Sequence, residues 1–451
     1  MARLNNRPTN GLIPTTGEAF PNGVLLDLIR DEETKEIGLL AWDKGETRIG
    51  GQLEYAGKTY VPAAVDPTVL SALQLPTRSS PSGTTTSDLF CSIYTELARL
   101  TGLPDPILAQ VICFIFTTWL VDRLPIAPFL WIVAPESADG EALLQLLALF
   151  CRRSLLLTAD SIAGLWTLPM NLRPTLLLDA AELTAPMQKF LHASNHKGIY
   201  FARRGQTLNF CCAKAVSSLE SLRDPGLANL ALQVTLPPNR PQRSVLTQEE
   251  SQKIAERYQA DLLWYRLRNY GQIRILDSDL EGLPAAKQSL ARSFVACILD
   301  NEKLRSVVLP LLCEQDREGE VELSSGLEAV ILRALLSCCH EGDRSTLRVA
   351  ELAEITNAML RRRGERVQIS PETVGWKLRS LRLRTESVAN GGKGLWMLND
   401  VRGRIHRLAL EYRVPSDPQG AQQGCPFCPP VVAAKSTGGE GDDDSELLCV
   451  L

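Results

Sequence analysis

The chain has 451 residues, 45% hydrophobic and 22% charged, with a net charge of -4. That composition excludes fibrous, disordered and membrane-embedded classes, and the length suggests about two to four domains with ample core. The 12 cysteines fall mostly within apolar segments (Cys113, Cys151, Cys297), the usage of reduced thiols in a cytoplasmic protein rather than of a disulfide framework.

Residues 1–11 read as a loose polar lead without the apolar stretch of a secretory signal. From Gly23 to Pro62 short β-like runs appear: Val24-Leu25-Leu26, Ile37 to Trp42, and Leu53-Glu54-Tyr55 turning at Ala56-Gly57-Lys58 into Thr59 to Pro62. They predict a small β-rich module over 12–74. Leu75 to Ser87, rich in Ser, Thr, Pro and Gly, reads as a linker. Asp88 to Thr101 places Leu89, Ile93, Leu97 and Leu100 at helical spacing, and Ile107 to Asp122 predicts a second, more buried helix. Its apolar run includes Gln110, Thr117 and Thr118 and is short for a membrane span, so no membrane partner is expected.

The next stretch has the outline of a nucleotide-binding unit. Phe129 to Val133 is an apolar strand, followed by a small-residue turn and a leucine-rich helix over Ala142 to Arg153. A phosphate loop between them should read G-x-x-x-x-G-K-[ST], so that backbone N–H groups wrap the phosphates and a lysine reaches them. The chain reads Ala134-Pro135-Glu136-Ser137-Ala138-Asp139-Gly140-Glu141-Ala142. Counting back from Leu143-Leu144, the lysine position falls on Gly140 and the hydroxyl position on Glu141. Glu136, Asp139 and Glu141 would repel a triphosphate.

Leu155 to Thr158 reads as a strand, Ser161 to Leu168 as a short helix, and Arg173 to Asp179 as a strong strand ending in an acid. In P-loop ATPases such a strand ends in Asp-Glu, which serve the magnesium shell and the attacking water. Here Ala180 follows Asp179, and Glu182 lies further on. Gly198 to Ala202 and Leu208 to Ala213 are strand-like. The alternation predicts an α/β domain over 88–240 with a mainly parallel sheet covered on both faces. Pro237 to Pro241 closes it. Thr247-Gln248-Glu249-Glu250 is a capping box opening a helix to about Asn269, and a helical subdomain continues over 245–340, including Ser289 to Leu299 and Leu323 to Cys338.

Residues 344–413 hold 15 Lys/Arg against seven Asp/Glu, about +8 in a chain of net charge -4. Val349 to Arg363 is helical and ends in Arg361-Arg362-Arg363-Gly364. Ser370-Pro371 caps a second helix. Leu381 to Leu398 reads as two strands around an Asn390-Gly391 turn, and Arg402 to Tyr412 as a closing helix. Helix, turn, helix, hairpin is the winged-helix order. Candidate DNA contacts are Arg361, Arg362, Arg363, Lys377, Arg379, Arg382, Arg384 and Lys393, because basic side chains meet phosphates and a helix of this size fits the major groove. Trp376 and Trp396 are expected in the core. The tail after Pro415, rich in Pro, Gly, Gln and Asp, reads as disordered. Cys425-Pro426-Phe427-Cys428 is half of a zinc knuckle whose nearest candidate partner in the tail is Cys449, so no metal is assigned; Cys338-Cys339-His340 reads as a helix end.

Three blocks, Thr117 to Arg153, RPTLLLDAAE from Arg173, and RRG with AKAVSSLESLRDPGLANLALQVTLPP, together resemble the AAA+-like ATPases of phages and integrated elements. These are primase/helicase-like proteins with a basic C-terminal domain, and the resemblance covers roughly residues 90–413. It implies an α/β P-loop core with a helical subdomain, a small N-terminal β module and a C-terminal winged helix. It places the loop lysine and hydroxyl on Gly140 and Glu141, and the Asp-Glu pair on Asp179 and Ala180. The motif resembling L-A-D-R falls on Leu227-Ala228-Asn229-Leu230, which removes the arginine that would complete a neighbour's site. Asn195 and Arg203-Arg204-Gly205 stay near their family places. A vestigial nucleotide site would comprise Pro135, Ser137, Gly140, Glu141, Asp179 and Asn195. The expectation is a scaffold that does not hydrolyse ATP, needs no cofactor and binds DNA, in a bacterial phage or mobile-element replication context. The alternatives are a non-standard DNA-dependent ATPase that does use ATP and magnesium, or an interaction subunit in a homo- or hetero-oligomer with an active paralogue.

Overall fold

The computed structural model describes residues 11–32, 34–77, 84–158, 162–165, 168–180, 183–203, 206–222, 224–237, 246–275, 283, 285–298, 306, 309–310, 313, 324–340, 344–388, 392–412, 414 and 425–428. Glu182, Arg204, Gly205, the Asn390-Gly391 turn, Pro238 to Pro241 and most of the tail fall outside them. The chain divides into two compact units, Met1–Cys313 and Glu314–Leu451.

The first unit opens with seven strands: β1 (Leu12–Thr15), β2 (Gly17–Ala19), β3 (Leu25–Arg30), β4 (Ile37–Asp43), β5 (Glu46–Gly50), β6 (Leu53–Tyr55) and β7 (Lys58–Pro62). They form two small sheets, β1-β7-β6 and β2-β3-β4-β5. The β3 strand alternates between two cores. Leu26 and Leu28 face Leu39, Ala41 and Tyr60, whereas Leu25 and Ile29 join the large core beneath the helices that follow. These strands therefore pack into the unit rather than standing apart from it.

Helix α1 (Pro67–Ala72) precedes two long helices, α2 (Thr86–Thr101) and α3 (Asp105–Trp119). A capping box between Thr85 and Asp88 starts α2, and Gly102 at φ 60° ends it. The α/β core then runs β8 (Phe129–Val133), α4 (Ser137–Phe150), β9 (Ser154–Thr158), α5 (Ile162–Leu165), β10 (Thr175–Asp179), α6 (Ala185–Ala193), β11 (Phe201–Arg203), β12 (Gln206–Leu208), β13 (Lys214–Ser218), α7 (Pro225–Ala228) and β14 (Leu232–Thr235). Five of these strands make one sheet in the order β14-β8-β13-β10-β9, all parallel. Numbered along the chain that order is 5-1-4-3-2, the P-loop, AAA+-like arrangement, and the fold class is α/β of that type. Alternation within β8 splits the sheet between two apolar layers. Leu130 and Ile132 face α3 and α4, whereas Phe129, Trp131 and Val133 face α6.

The sequence places strands at Gly198 to Ala202 and Leu208 to Ala213. The structure instead makes β11 and β12 a separate antiparallel hairpin, and gives the central sheet position to β13, with the sequence KAVSS. A lysine and two serines disguise that strand. Lys214 is fully buried, yet its Nζ donates to the Ser194 carbonyl oxygen and to Asn195 Oδ1 and lies 5.6 Å from the Phe129 ring centre.

Helix α8 (Gln248–Asn269) opens with the expected Thr247–Glu250 capping box, and α9 (Ala285–Ala296) follows. A buried ionic cluster joins α8 to the rest of the unit. Asp27 on β3 accepts from Arg152 Nη2 (2.9 Å), from Arg266 Nε (2.8 Å) and from Arg153 Nη2. The Arg266 fork also spans both oxygens of Asp122 at 2.7 Å. Burial alone would raise the Asp27 carboxyl, but the Arg152, Arg153 and Arg266 guanidiniums outweigh it and hold it far below the usual carboxylate range.

The second unit contains α10 (Leu327–His340), β15 (Thr346–Arg348), α11 (Val349–Arg362), α12 (Pro371–Ser380), β16 (Glu386–Ser387), β17 (Lys393–Trp396) and α13 (Asn399–Glu411). Its strands pair antiparallel in the order β15-β17-β16. Leu332, Leu335, Leu352, Leu360, Val374, Leu378, Leu395 and Ile405 share one core. Among the described residues no helix is long and apolar enough to cross a membrane.

Candidate functional site

Two places were marked by the sequence: the loop after β8 and the basic surface of the second unit. The loop is shorter than the sequence reading allows. Strand β8 ends at Val133 and α4 begins at Ser137, leaving Ala134 to Glu136 between them. A phosphate cradle needs a run of free N–H groups outside the helix. Here the helix absorbs the remainder, and the Asp139 and Gly140 N–H groups already point to the Glu136 carbonyl oxygen. Pro135, Glu136, Ser137 and Glu141 are exposed on this rim.

Gly140, in the lysine position, is buried against β13. A Cβ built there would come within 2.0 Å of Ser217 Oγ and 3.0 Å of the Ala134 side chain. The glycine is therefore a contact point between the helix and the sheet, and a long side chain has no path out. Asp179 closes β10 in register with Ser217, half-buried, and Ala180 beside it is buried. Ser137, Gly140, Asp179 and Ser217 thus gather at the C-terminal edge of the sheet, the ligand-binding edge of parallel α/β folds.

Asn195 does not join them. It follows α6 and bonds to Lys214, whose register partner is Phe129, the first residue of β8. That is the opposite edge of the sheet. Asn195 is fully buried, and its main-chain oxygen accepts from Ala127 N. The structure gives Asn195 a packing role at the start of β13, because a buried ammonium needs oxygen acceptors. Leu227 is buried in the core, and Leu230, in the place of the expected arginine, is half-buried.

In the second unit the expected order of helix, helix and hairpin is present, and it leaves a groove of about 460 Å³ between α12 and the β16–β17 hairpin. Arg348, Trp376, Arg379, Thr385 and Lys393 line it, with Glu372 as its one acidic residue among those described. Arg379 lies 5.0 Å from the Trp376 ring centre, a cation–π contact that holds both side chains at the surface. Trp376 is 68% exposed and Trp396 39%, which corrects the expectation that both lie in the core. The surrounding core positions are filled by Val374 and Leu378, so the face carrying Trp376 points outward.

The eight basic residues marked by the sequence divide. Arg379 and Lys393 meet in the groove, joined by Arg348, which sequence reasoning missed. Its one signal was a basic residue directly before the Val349 helix start. Arg382 and Arg384 are exposed on the connection from α12 to β16. Lys377 is committed to an ion pair with Glu328, and Arg363 donates to the Ser325 carbonyl oxygen (3.0 Å). Arg361 and Arg362 are exposed at the far end of α11, about 20 Å along the helix from Arg348.

The Cys425–Cys428 turn lies beside His340, at the end of α10, and His406, on α13. Cys449 falls outside the described residues. Sequence reasoning missed these histidines because they stand 85 and 19 residues before Cys425.

No protein-family model matches the chain, and no curated protein matches it. Among solved structures it is similar to the apo A form of the NrS-1 C-terminal region, at TM-score 0.31 and 13% identity, over 82% of this chain and 96% of that one. It is also similar to Cdc6p from Pyrobaculum aerophilum, at TM-score 0.21 and 11% identity, over 72% and 98%. The fold class rests on the strand order of the central sheet.

Proposed function

We propose that the protein binds DNA through a winged helix in its second unit and that its α/β core is a scaffold that does not hydrolyse ATP. The observation that carries the reading is the groove between α12 and the hairpin, where Arg348, Arg379 and Lys393 surround the exposed Trp376. In that reading α12 enters the major groove, Arg379 and Lys393 contact phosphates on either side, and Trp376 lies against sugar or base. The exposed Arg382 and Arg384 extend the same positive surface.

The scaffold half of the reading is supported by Gly140 packed on Ser217, by Ala180 after Asp179, and by a loop too short to wrap phosphates. Phosphoryl transfer depends on positioning and charge neutralisation, and the loop offers carboxylates instead of a lysine. A place in phage or mobile-element replication, and assembly with itself or with an active paralogue, belong to the same reading.

The test is fluorescence anisotropy of the full chain with labelled duplex DNA over a salt series, with calorimetric ATP titration in magnesium alongside. Binding that weakens steeply with salt, and a flat ATP isotherm, support the reading. Clear ATP binding, or turnover stimulated by DNA, would put a non-standard motor in its place.

A further inference from the structure

We infer that His340, His406, Cys425 and Cys428 form a structural zinc site that fastens the C-terminal segment to the second unit. His340 Nε2 lies 3.2 Å from His406 Nε2, Cys425 Sγ lies 3.4 Å from His406 Nε2, and Cys428 Sγ lies 3.3 Å from His340 Nε2. All four donor atoms lie within 4.8 Å of one another. Zinc bound at about 2.0–2.1 Å to nitrogen and about 2.3 Å to sulfur, at tetrahedral angles, requires edges of roughly 3.3 Å between nitrogens, 3.6 Å between nitrogen and sulfur and 3.8 Å between sulfurs. The observed edges match the nitrogen–nitrogen value and come within about 0.3 Å of the nitrogen–sulfur value.

The donor chemistry selects the metal. Two thiolates and two imidazoles with no carboxylate favour zinc over magnesium or calcium, which take oxygen. Four protein ligands leave no open position, so the site is structural rather than catalytic. Its surroundings are built for the task. His406 Nδ1–H donates to the Arg402 carbonyl oxygen at 2.7 Å, which fixes the tautomer and aims the Nε2 lone pair at the cluster. The Arg402 side chain in turn donates to the carbonyl oxygens of Met397 (2.9 Å), Cys339 (2.8 Å) and Arg344 (2.9 Å), so the ends of α10 and α13 are held together. On the other side the turn packs by Phe427, whose ring centre is 5.7 Å from that of His406. Gly403 of α13 lies beneath that ring, at a distance where a Cβ would stand in ordinary contact with it, 3.4 Å away.

The site explains why four residues of a polar tail sit on a helical core: coordination supplies a free energy that the small apolar contact of Phe427 does not. It does not depend on what the groove binds. The full chain, purified in reductant without chelators, should carry one zinc by elemental analysis. C425S/C428S should fall below about a tenth of that. Cobalt exchanged into the native chain should show the intense visible bands of tetrahedral cobalt(II) and a thiolate charge-transfer band in the near ultraviolet. H406A should lose both. Because the cysteines are half-buried, C425S/C428S should keep the native helical circular dichroism, and the cobalt spectrum of the native chain decides the matter should that variant unfold. Three results overturn the inference: no zinc and no cobalt bands in reduced native chain, zinc fully retained by C425S/C428S, or a Cys425–Cys428 disulfide under the same reducing conditions.

Discussion

Replacing Asp27 by Asn tests the buried cluster that ties β3 to α4 and α8. In the native chain three guanidiniums, of Arg152, Arg153 and Arg266, face two carboxylates, Asp27 and Asp122, and all are almost wholly buried. Asn keeps the shape but removes one charge, so the local balance moves from +1 to +2 at side chains only 3–10% exposed. Arg266 keeps Asp122, whereas Arg152 and Arg153 lose their carboxylate. Removing one partner of a buried pair costs about 3–5 kcal/mol, against a total of roughly 5–15 kcal/mol for a folded domain. With a urea slope of about 1–3 kcal/mol per molar, the midpoint of the first unit should fall by at least about 1 M. The assay is urea unfolding of the full chain, followed by tryptophan fluorescence and circular dichroism. A loss under about 1 kcal/mol in D27N would refute the argument, because it would mean that water reaches the cluster or that the arginines find other acceptors. The same reasoning predicts that a chain beginning at residue 75 fails to fold its α/β core, since it strips Asp27 from Arg152 and Arg153.

Acid should act through the same residues. Asp27 and Asp122 are held below the ordinary 3.8 in the folded state, so the unfolded chain takes up more protons as pH falls; their contribution is complete above about pH 5 and drains away as pH drops through and below that ordinary value, and D27N should show a flatter acid limb in a pH series of urea melts. G140A should destabilise by about 1–3 kcal/mol, although Gly to Ala within a helix ordinarily stabilises, and S217A in the same chain should recover part of the loss; a stabilised G140A would refute the close helix–sheet contact. R379A and K393A should each weaken duplex binding about equally across sequences and reduce the salt slope by about one, whereas R361A and R362A should do less, as measured by anisotropy at several salt concentrations.

Much of the architecture was legible in the sequence because it rests on local signals. The apolar runs of β8 and β10, the Thr247–Glu250 box and the Ser370-Pro371 start of α12 each state their conformation within a few residues. Where a strand's polar residues are satisfied from elsewhere, the signal fails. Lys214 reads as a loop residue until Ser194 and Asn195 supply its acceptors, and Ser217 is a small residue where Gly140 of α4 lies against the strand. Asp27 shows the same blindness: a lone acid in the apolar run of β3 makes sense only beside arginines 125, 126 and 239 residues away. The loss of the loop lysine was readable by counting, but not the reason no side chain fits there, which is the distance from Gly140 to Ser217.

The sequence by itself determined the order of most elements outside β11 to β13, the parallel character of the core and the concentration of positive charge after residue 344, since these follow from periodicity, caps and composition. Tertiary structure alone decided which charges act. It turned Lys377 inward to Glu328, left Arg379 and Lys393 with Trp376 in one groove, and moved Asn195 to the far edge of the sheet. It also brought His340 and His406 to Cys425 and Cys428. Ligand sets and ion pairs are set by distances in space, and residues far apart in the chain carry no mark of one another until the packing of the helices brings them together.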